Sequence, residues 1–285
     1  MKILFVNACF IDQFLLADHF EEQKWQVHSK YKNSFNIQDE RKKQLVVVTT
    51  TNYPFMPNGI YLQANDFSQV LSSIEIGEQI KWEQKCLHFS RNHLLLTHGT
   101  LYSSLVGTAT RNLMEISQKK LFSYSDSLVK KTGSQHSLAQ FLEGMNPFKE
   151  AIIALCSEDQ SQQKSGLNFL LGRGMGLTPS GDDMIVGHLA ARFLLDKESS
   201  ILTNLLLTEL LAERSVTTDI SKHYLLCALS GHFSEPVLKL IEALATNSSE
   251  EKIEKIVNGV ISVGHTSGVD LLAGLLTTIK LLGTK

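Results

Sequence analysis

The sequence predicts an α+β protein in which a β-rich N-terminal part precedes a mainly helical C-terminal part. Between residues 25 and 98, short apolar runs alternate with turn residues, as in antiparallel strands. After about Leu113, apolar residues recur at helical spacing, and several of these runs begin at recognisable helix caps. The 285-residue chain is 43% hydrophobic and 20% charged, which is typical of a globular protein with a sizeable core.

The β-rich part is expected to span residues 1–112. A leading helix is predicted in "ACFIDQFLLADHF", residues 8–20, because its apolar side chains have helical spacing. Two prolines and an Asn-Gly pair predict a structured loop in "NYPFMPNGIY", with Asn58 as a turn residue. Strands are predicted in the segments "WQVHSKY", "SFNI", "QLVVVTT", "GIYL", "EQIKWEQ", "CLHFS" and "HLLLTH".

The helical part is expected to span residues 113–285. Its caps include "SSEEKI" and "SEPVLKL", where a proline occupies the first turn. The predicted helices are Leu113–Lys131, His136–Glu143, Pro147–Cys156, Gln160–Leu171, Gly181–Leu195, Ser200–Glu213, Ile220–Ala228, Glu235–Thr246, Glu250–Val263 and Gly268–Leu282.

Charge and cysteine usage exclude several classes of protein. The 27 basic and 29 acidic side chains give a net charge of −2, and the absence of a long basic run argues against nucleic acid as a partner. The four cysteines are widely spaced without a CxxC pair, which indicates core residues in a reducing compartment. Neither a signal-peptide pattern nor a run of about 18 apolar residues is present, so a cytoplasmic protein without a membrane partner is expected.

A glycine-rich stretch, "GRGMGLTPSGDDMIVG", occupies residues 172–187. Glycines at alternate positions permit positive φ and let a ligand approach bare backbone N–H groups. The following "TPSGDD" predicts a helix start with two alternative caps. Either Thr178 caps the helix and Pro179 is its first residue, or Ser180 caps it and Asp183 closes a capping box.

The C-terminal stretch "GHTSGVDLLAGLL" repeats part of this pattern. Both copies contain S-G-x-D-x-x-x-G, beginning at Ser180 and, 87 positions later, at Ser267. In each copy the aspartate and the second glycine are four residues apart and share one helix face, and the glycine lets another helix backbone come close. We therefore expect Asp183 and Asp270, with the hydroxyls around them, to meet at one polar site.

Such a site suits three kinds of ligand. Carboxylates at Asp183 and Asp270 could hold a divalent cation such as Mg²⁺, and a cation–phosphate pair would use carboxylates and amides together. An anion could bind to helix N-terminal amides and hydroxyls. The candidate anion-binding residues are Gly174, Gly176, Thr178, Ser180, Gly181, Thr266, Ser267 and Gly268, and the candidate catalytic residues are Asp182, Asp183, Asp270 and His265.

Simpler interpretations accompany these assignments. The aspartates could be helix caps that complement the helix dipole, worth roughly 0.3–1 kcal/mol each, and His265 could be a local hydrogen-bonding residue. Thr217, Thr218 and Ser221 form another helix start and are secondary candidates, as is Arg173, the nearest internal cation. The glycines lack the lysine of a P-loop and follow a helical run, unlike a dinucleotide-binding turn.

The motifs "GxGxGLTPSGDDxxxG", "TTDIS" and "GHTSGxDxLAG" resemble those of a bacterial family catalogued as a domain of unknown function. The best-known member of that family is the AllH-type subunit of oxamate carbamoyltransferase, from anaerobic allantoin degradation, a branch of purine catabolism. The segments "WQVHSKYKNSFNI" and "MPNGIYL" are also similar to patterns of that family. Met175 and His232 depart from the residues expected at their positions, which leaves room for a different substrate.

The resemblance implies one component of a multi-subunit transferase that needs partner subunits. Its chemistry would move a carbamoyl group between carbamoyl phosphate and oxamate, or phosphorolyse oxalurate in the reverse direction, so a small anionic substrate is implied. The alternative is a non-catalytic structural or regulatory subunit whose glycines serve packing and whose aspartates are caps. A metal-dependent hydrolase is less favoured because no histidine cluster supplies ligands.

Overall fold

The structure, a computed structural model, describes residues 3–17, 20–21 and 23–283. Contacts within the chain separate it into two units, residues 1–104 and 105–285, and each unit contains its own hydrophobic core. The predicted boundary between residues 112 and 113 falls inside the second unit. None of the helices in the described part of the chain combines the length and hydropathy needed to cross a bilayer.

Among the described residues, short strands of the first unit form a ten-stranded sheet in the order β1-β9-β8-β7-β3-β4-β5-β6-β2-β10. The seven predicted strand segments all lie in this sheet. The strands are β1 (Leu4–Asn7), β2 (Phe10–Asp12), β3 (Trp25–Lys30), β4 (Ser34–Asp39), β5 (Leu45–Thr50), β6 (Gly59–Leu62), β7 (Gln79–Glu83), β8 (Cys86–His88), β9 (Asn92–Leu95) and β10 (Thr100–Tyr102).

The sheet is strongly curled because two strands that follow each other along the chain lie near opposite ends of the strand order. Only Ala8 and Cys9 connect β1 to β2. The N–H of Ala8 donates to β9 through the carbonyl of Leu95 (2.9 Å), and the N–H of Cys9 donates to β6 through the carbonyl of Tyr61 (2.7 Å). The curl encloses an apolar core with an aromatic cluster of Phe20, Trp25 and Trp82.

The prediction of a leading helix is wrong for the described residues. Strand β2 and a short 3-10 helix, Gln13–Leu16, replace it, and residues 18 and 19 of the predicted segment lie outside the described residues. Sheet pairing overrides the helical spacing because Ile11 pairs with β6 and β10 at once. The buried Asp12 carboxylate then accepts hydrogen bonds from Asn58 N–H (3.0 Å) and Ser104 Oγ (2.6 Å).

One helix of the first unit was not predicted, α1 (Ala64–Ser73), whose buried face includes Phe67 and Val70. The ten predicted helices of the second unit are all present, with bounds that differ by a few residues. They are α2 (Glu115–Asp126), α3 (Leu138–Glu143), α4 (Pro147–Leu155), α5 (Gln160–Leu170), α6 (Ser180–Leu194), α7 (Ser200–Leu211), α8 (Asp219–Leu229), α9 (Glu235–Ala245), α10 (Glu250–Ile261) and α11 (Ser267–Leu282). The α+β prediction is therefore confirmed.

Helices α6 and α11 are almost entirely buried and pack directly on each other at glycines. A Cβ added to Gly187 would stand 1.9 Å from the carbonyl oxygen of Leu271, and a Cβ on Gly274 would stand 2.0 Å from that of Met184. Only glycine permits such an approach. The final glycine of each S-G-x-D-x-x-x-G copy therefore fixes the spacing of the helix pair.

Candidate functional site

The two helix starts meet at a hydrogen bond between hydroxyl groups. Thr178 Oγ1 and Ser267 Oγ are 2.9 Å apart, so the end of the glycine-rich loop touches the first residue of α11. Asp183 and Asp270 occupy the fourth position of α6 and α11, respectively. The structure thus brings together the two copies of the motif, as the sequence analysis expects.

Neither predicted cap of α6 is formed. The N-cap is Pro179, which has no side-chain hydrogen bond to give, and its carbonyl accepts from the N–H groups of Asp182 (2.9 Å) and Asp183 (3.1 Å). Thr178 is instead committed to Ser267. Helix α11 likewise begins without a side-chain cap. The hydroxyls of Thr178 and Ser267 thus bond to each other and do not cap their helices.

Asp270 is the most deeply buried carboxylate of this site, with 0% of its surface exposed. Its Oδ1 accepts from the N–H of Gly133 at 2.9 Å, while its Oδ2 is buried without a hydrogen-bond partner among the described residues. Burial raises the pKa of Asp270 to about 6. The hydrogen bond from the Gly133 N–H is the largest effect in the opposite direction. The hydroxyls of Thr266 and Ser180 also lower this pKa, although neither forms a hydrogen bond of normal geometry with Oδ2.

Asp183, on α6, also has a carboxylate oxygen that is buried and unpaired. The residue is half-buried, but its Oδ2 is buried and has no hydrogen-bond partner in the part of the chain that the structure describes. Burial raises the pKa of Asp183 well above its ordinary value, the hydroxyl of Ser267 opposes this rise, and the negative charge of Asp270 adds to it. Two carboxylates that disfavour simultaneous ionisation therefore share one site, each with a bare acceptor oxygen.

Asp182 does not share this environment, because its hydrogen bonds are satisfied within the chain. Its Oδ1 accepts from the N–H of Gly172 (2.7 Å), and its Oδ2 accepts from the hydroxyls of Ser221 (2.6 Å) and Thr217. The Thr218 hydroxyl caps α8 and donates to the carbonyl of Leu177. Asp182 and the α8 start thus clamp the glycine-rich loop in place.

The glycine-rich loop adopts backbone conformations that require its glycines. Gly172, Gly174 and Gly176 have φ of 70°, 126° and 96°. A Cβ on Gly174 would stand 2.6 Å from the backbone nitrogen of Ser180, so this glycine lies directly against the start of α6. The guanidinium of Arg173 stacks on the Phe169 ring at 4.0 Å, and its Nε donates to the carbonyl of the same residue. The Arg173 side chain therefore packs on α5.

The N–H groups at the two helix starts divide into occupied and free donors. Gly181 N–H donates to the Arg173 carbonyl (2.8 Å), and Gly268 N–H donates to the Val263 carbonyl (3.3 Å). These two glycines are packing residues, since an added Cβ would meet the carbonyl oxygen of Leu170 or Val260, respectively, at 2.0 Å. Within the described part of the chain, no acceptor is found for the N–H of Ser180 or Ser267.

Two parts of the site were missed by the sequence analysis. The loop between α2 and α3 contributes Gly133, where a Cβ would stand 1.8 Å from Ser180 Oγ and 3.2 Å from Asp270 Oδ2. Tyr224 lies on α8, and burial raises the pKa of its hydroxyl, with a smaller electrostatic contribution from Cys227 and Asp183. The glycine in "KKTGSQHS" could have indicated the contribution of Gly133. Nothing in the sequence indicated Tyr224, whose position follows only from the fold.

The remaining predicted residues have other surroundings. His265 is exposed just before α11, and no contact of its ring with either carboxylate is found. Asn58 belongs to the first unit, where it is buried at φ 55° and its side-chain amide donates to the Leu45 carbonyl (3.3 Å). Across residues 3–17, 20–21 and 23–283, no group of three or more His, Cys, Asp or Glu side chains is arranged to hold a metal ion.

Comparison with known families covers both units. Residues 170–279, which include both copies of the motif, match the family described as oxamate carbamoyltransferase subunit AllH. Residues 7–101 match the AllH family N-terminal domain. No solved structure was found to match the chain. Because the two matches together span most of the sequence, this chain belongs to the AllH family.

Proposed function

We propose that this chain contributes a substrate-binding site to an oxamate carbamoyltransferase and that the site lies where α6 and α11 begin. The observation that carries this proposal is the pair of bare carboxylate oxygens, on Asp183 and Asp270, inside the region that matches the subunit family. An unpaired buried acceptor costs about 1–3 kcal/mol. A chain that retains two of them at one point gains this energy back when a ligand satisfies them.

The reaction needs donors and acceptors together. In the synthetic direction, the oxamate nitrogen attacks the carbamoyl carbon, the bond from that carbon to the phosphate oxygen breaks, and the nitrogen loses a proton. Asp183 or Asp270 is suited to accept this proton, because a raised pKa brings a carboxylate closer to the working pH. The free N–H groups of Ser180 and Ser267 are suited to polarise a carbonyl oxygen or contact phosphate.

A bare phosphate beside two carboxylates would be repelled, so a cation is needed if phosphate approaches them. Arg173 does not supply it, because its guanidinium is stacked on Phe169. The ammonium of Lys130, which donates to the carbonyls of Ile261 and Gly264 just before α11, is a better internal candidate. Mg²⁺ held by Asp183 and Asp270 is the alternative.

Calorimetric titration of the full chain with carbamoyl phosphate, inorganic phosphate and oxamate, each with and without Mg²⁺, tests the proposal. We expect at least one of these compounds to bind and the affinity to fall at least tenfold, about 1.4 kcal/mol, in a variant with both Asp183→Asn and Asp270→Asn. Glu251→Gln removes a carboxylate from the exposed first turn of α10 and should leave binding unchanged. Unchanged binding in the double variant would disprove the site.

The second candidate is a non-catalytic structural subunit. It is favoured by one observation, that all four motif glycines, Gly181, Gly187, Gly268 and Gly274, press on a neighbouring backbone carbonyl. This explains the glycines completely but leaves the two bare carboxylate oxygens unexplained. If the subunit is structural, Asp183→Asn and Asp270→Asn should change the melting temperature equally with and without each candidate ligand.

A further inference from the structure

The chemistry of the bare groups at this site limits what can bind there. Asp270 is fully buried and its Oδ2 has no partner, and the buried Oδ2 of Asp183 is in the same situation. Both atoms accept hydrogen bonds and, when the carboxylates are ionised, cannot donate. Their preferred ligand is therefore a group that carries N–H or O–H donors or a positive charge.

Backbone donors without an acceptor also occur at these two helix starts. The N–H groups of Ser180 and Ser267 have no acceptor in the described part of the chain, and each belongs to the first turn of the helix that also carries one of the aspartates. Ser180 Oγ and Asp270 Oδ2 both lie on the side of Gly133 where a Cβ would project. A ligand that satisfies both kinds of group would present an acceptor as well as donors.

A primary amide meets both requirements. Its –NH₂ group offers two donors and its carbonyl oxygen accepts, all within one planar group. When both aspartates are ionised, a carboxylate or phosphate ligand offers only acceptors and would leave the oxygens of Asp183 and Asp270 unpaired and repelled. A metal ion would satisfy the carboxylates but would leave the N–H groups of Ser180 and Ser267 unused.

We propose that Asp183 and Asp270 bind the –NH₂ end of a primary amide, as in oxamate or a carbamoyl group, and so select the amide against an anion of the same shape. This inference rests on the proposed function and extends it by assigning the carboxylate pair to the nitrogen end of the substrate. The two carboxylates would thereby determine specificity, because they repel a ligand in which a negatively charged oxygen replaces the amide nitrogen.

Oxamate and oxalate form a matched pair of probes, since oxalate carries a negatively charged oxygen where oxamate carries –NH₂. Both are titrated into the full chain by calorimetry at about pH 8, where Asp270, with a pKa of about 6, is ionised. We expect oxamate to bind at least tenfold more tightly than oxalate. A site built for a donor rejects an analogue that lacks it, because the protein acceptors are left unpaired.

The variant with Asp183→Asn and Asp270→Asn supplies the second measurement. Asparagine keeps the shape of the side chain and its Oδ1 still accepts from the Gly133 N–H, but it replaces each bare acceptor with a donor. The preference for oxamate should fall to less than threefold or reverse, while Glu251→Gln should retain it. If the double variant does not fold, the comparison of the two probes on the unaltered chain still decides the question.

The outcomes separate this inference from the proposed function. Oxalate binding as tightly as oxamate would overturn the inference and leave an anion site standing. Binding of both probes only in the presence of Mg²⁺ would also overturn it, because the carboxylates would then be metal ligands. Failure of carbamoyl phosphate, phosphate, oxamate and oxalate alike to bind would remove the proposed site, and the inference with it.

Discussion

Asp270 combines properties that stability alone does not explain. It is a fully buried carboxylate held by one backbone donor, with its other oxygen unpaired. Leaving such an acceptor unsatisfied costs on the order of 1–3 kcal/mol. Asp182, in the first turn of α6, is a buried carboxylate whose oxygens are paired. It accepts hydrogen bonds from three donors and so holds the glycine-rich loop. Aspartates in the first turns of α6 and α11 thus have different surroundings.

The unfolding free energy should decrease with rising pH because of Asp270. Its folded pKa, about 6, lies above the ordinary value of 3.8, so the folded state binds more protons between these values. The stabilisation is fully present below about pH 4 and is lost by on the order of 3 kcal/mol as the pH rises through about 6. Asp270→Asn should remove this dependence and be the more stable protein at about pH 8.

Urea unfolding at a series of pH values measures this effect. Asp183 titrates in the same direction, so a residual slope should remain in Asp270→Asn and shrink further when Asp183→Asn is added. Glu251→Gln, on an exposed turn, is the control and should follow the unaltered chain. An Asp270→Asn protein that is less stable at every pH would contradict the account.

Gly133→Ala should damage the site without changing any charge. The new Cβ would stand 1.8 Å from Ser180 Oγ, so either the α2–α3 loop or the start of α6 must shift. We expect a loss of roughly 1–3 kcal/mol in unfolding free energy, as for other overpacked positions, together with weaker oxamate binding. Chemical unfolding and calorimetry measure the two effects.

Gly259→Ala is the matched control for this substitution. Gly259 lies inside α10, and a Cβ there would meet nothing within 4 Å. Alanine should stabilise the helix by roughly 0.5–1 kcal/mol, since glycine loses more backbone entropy on folding. If Gly133→Ala proved as harmless as Gly259→Ala, the close approach of the α2–α3 loop to Ser180 would be refuted.

At the scale of elements, the pair α6 and α11 determines where the site forms. Both helices were predicted from apolar periodicity, and their contact was predicted from the glycine four residues after each aspartate. The contribution of Gly133 was not predictable in the same way, because it lies 137 residues from Asp270 along the chain and no repeat connects them. The predicted leading helix was wrong because its periodicity carries no information about pairing with β6 and β10.

Replacing Gly187 or Gly274 with alanine should separate the two helices. In each case the added Cβ would lie about 2 Å from a carbonyl oxygen of the facing backbone, which cannot move aside like a flexible side chain. We expect each substitution to lower the unfolding free energy by about 2 kcal/mol or more, at the upper end of overpacking costs. Denaturant unfolding provides the measurement, with Gly259→Ala again as the tolerated reference.

Measurement of oxamate binding tests whether helix packing by the motif glycines also supports ligand binding by the motif aspartates. Because Asp183 and Asp270 are carried by the same helix pair, separation of the helices should weaken binding along with stability. A Gly274→Ala protein that loses stability but binds oxamate with unchanged affinity would show that the site does not depend on this spacing.

At the scale of the whole molecule, the change in sequence pattern and the division into compact units lie at different residues. The change from strand-like to helical patterning lies near residue 113, which led to a predicted boundary there, whereas the compact units meet between Ser104 and Leu105. Residues 105–112 carry no helical periodicity, yet they pack on the helical unit. Val106 is buried in its core, and its N–H donates to the Gly231 carbonyl at 2.9 Å.

A fragment of residues 105–285 should therefore be more stable than one of residues 113–285. The shorter fragment loses the burial of Val106 and the stacking of Arg111 on Phe193, whose ring lies 5.2 Å from the guanidinium carbon. The expected difference is about 2–4 kcal/mol, since burial of a valine side chain contributes about 1.5–3 kcal/mol and its backbone hydrogen bond about 1 kcal/mol. Urea unfolding of the two purified fragments measures it.

A third fragment, residues 105–285 with Arg111→Ala, separates the sources of this difference. Arg111 also pairs with Asp196 (3.2 Å) and Glu198 (2.5 Å), but these partly exposed ion pairs should contribute only about 0–1 kcal/mol. The Arg111→Ala fragment should then lie close to the longer fragment, because Val106 supplies most of the stabilisation. Equal stability of the 105–285 and 113–285 fragments would instead favour the boundary predicted from the sequence, with residues 105–112 acting only as a connection.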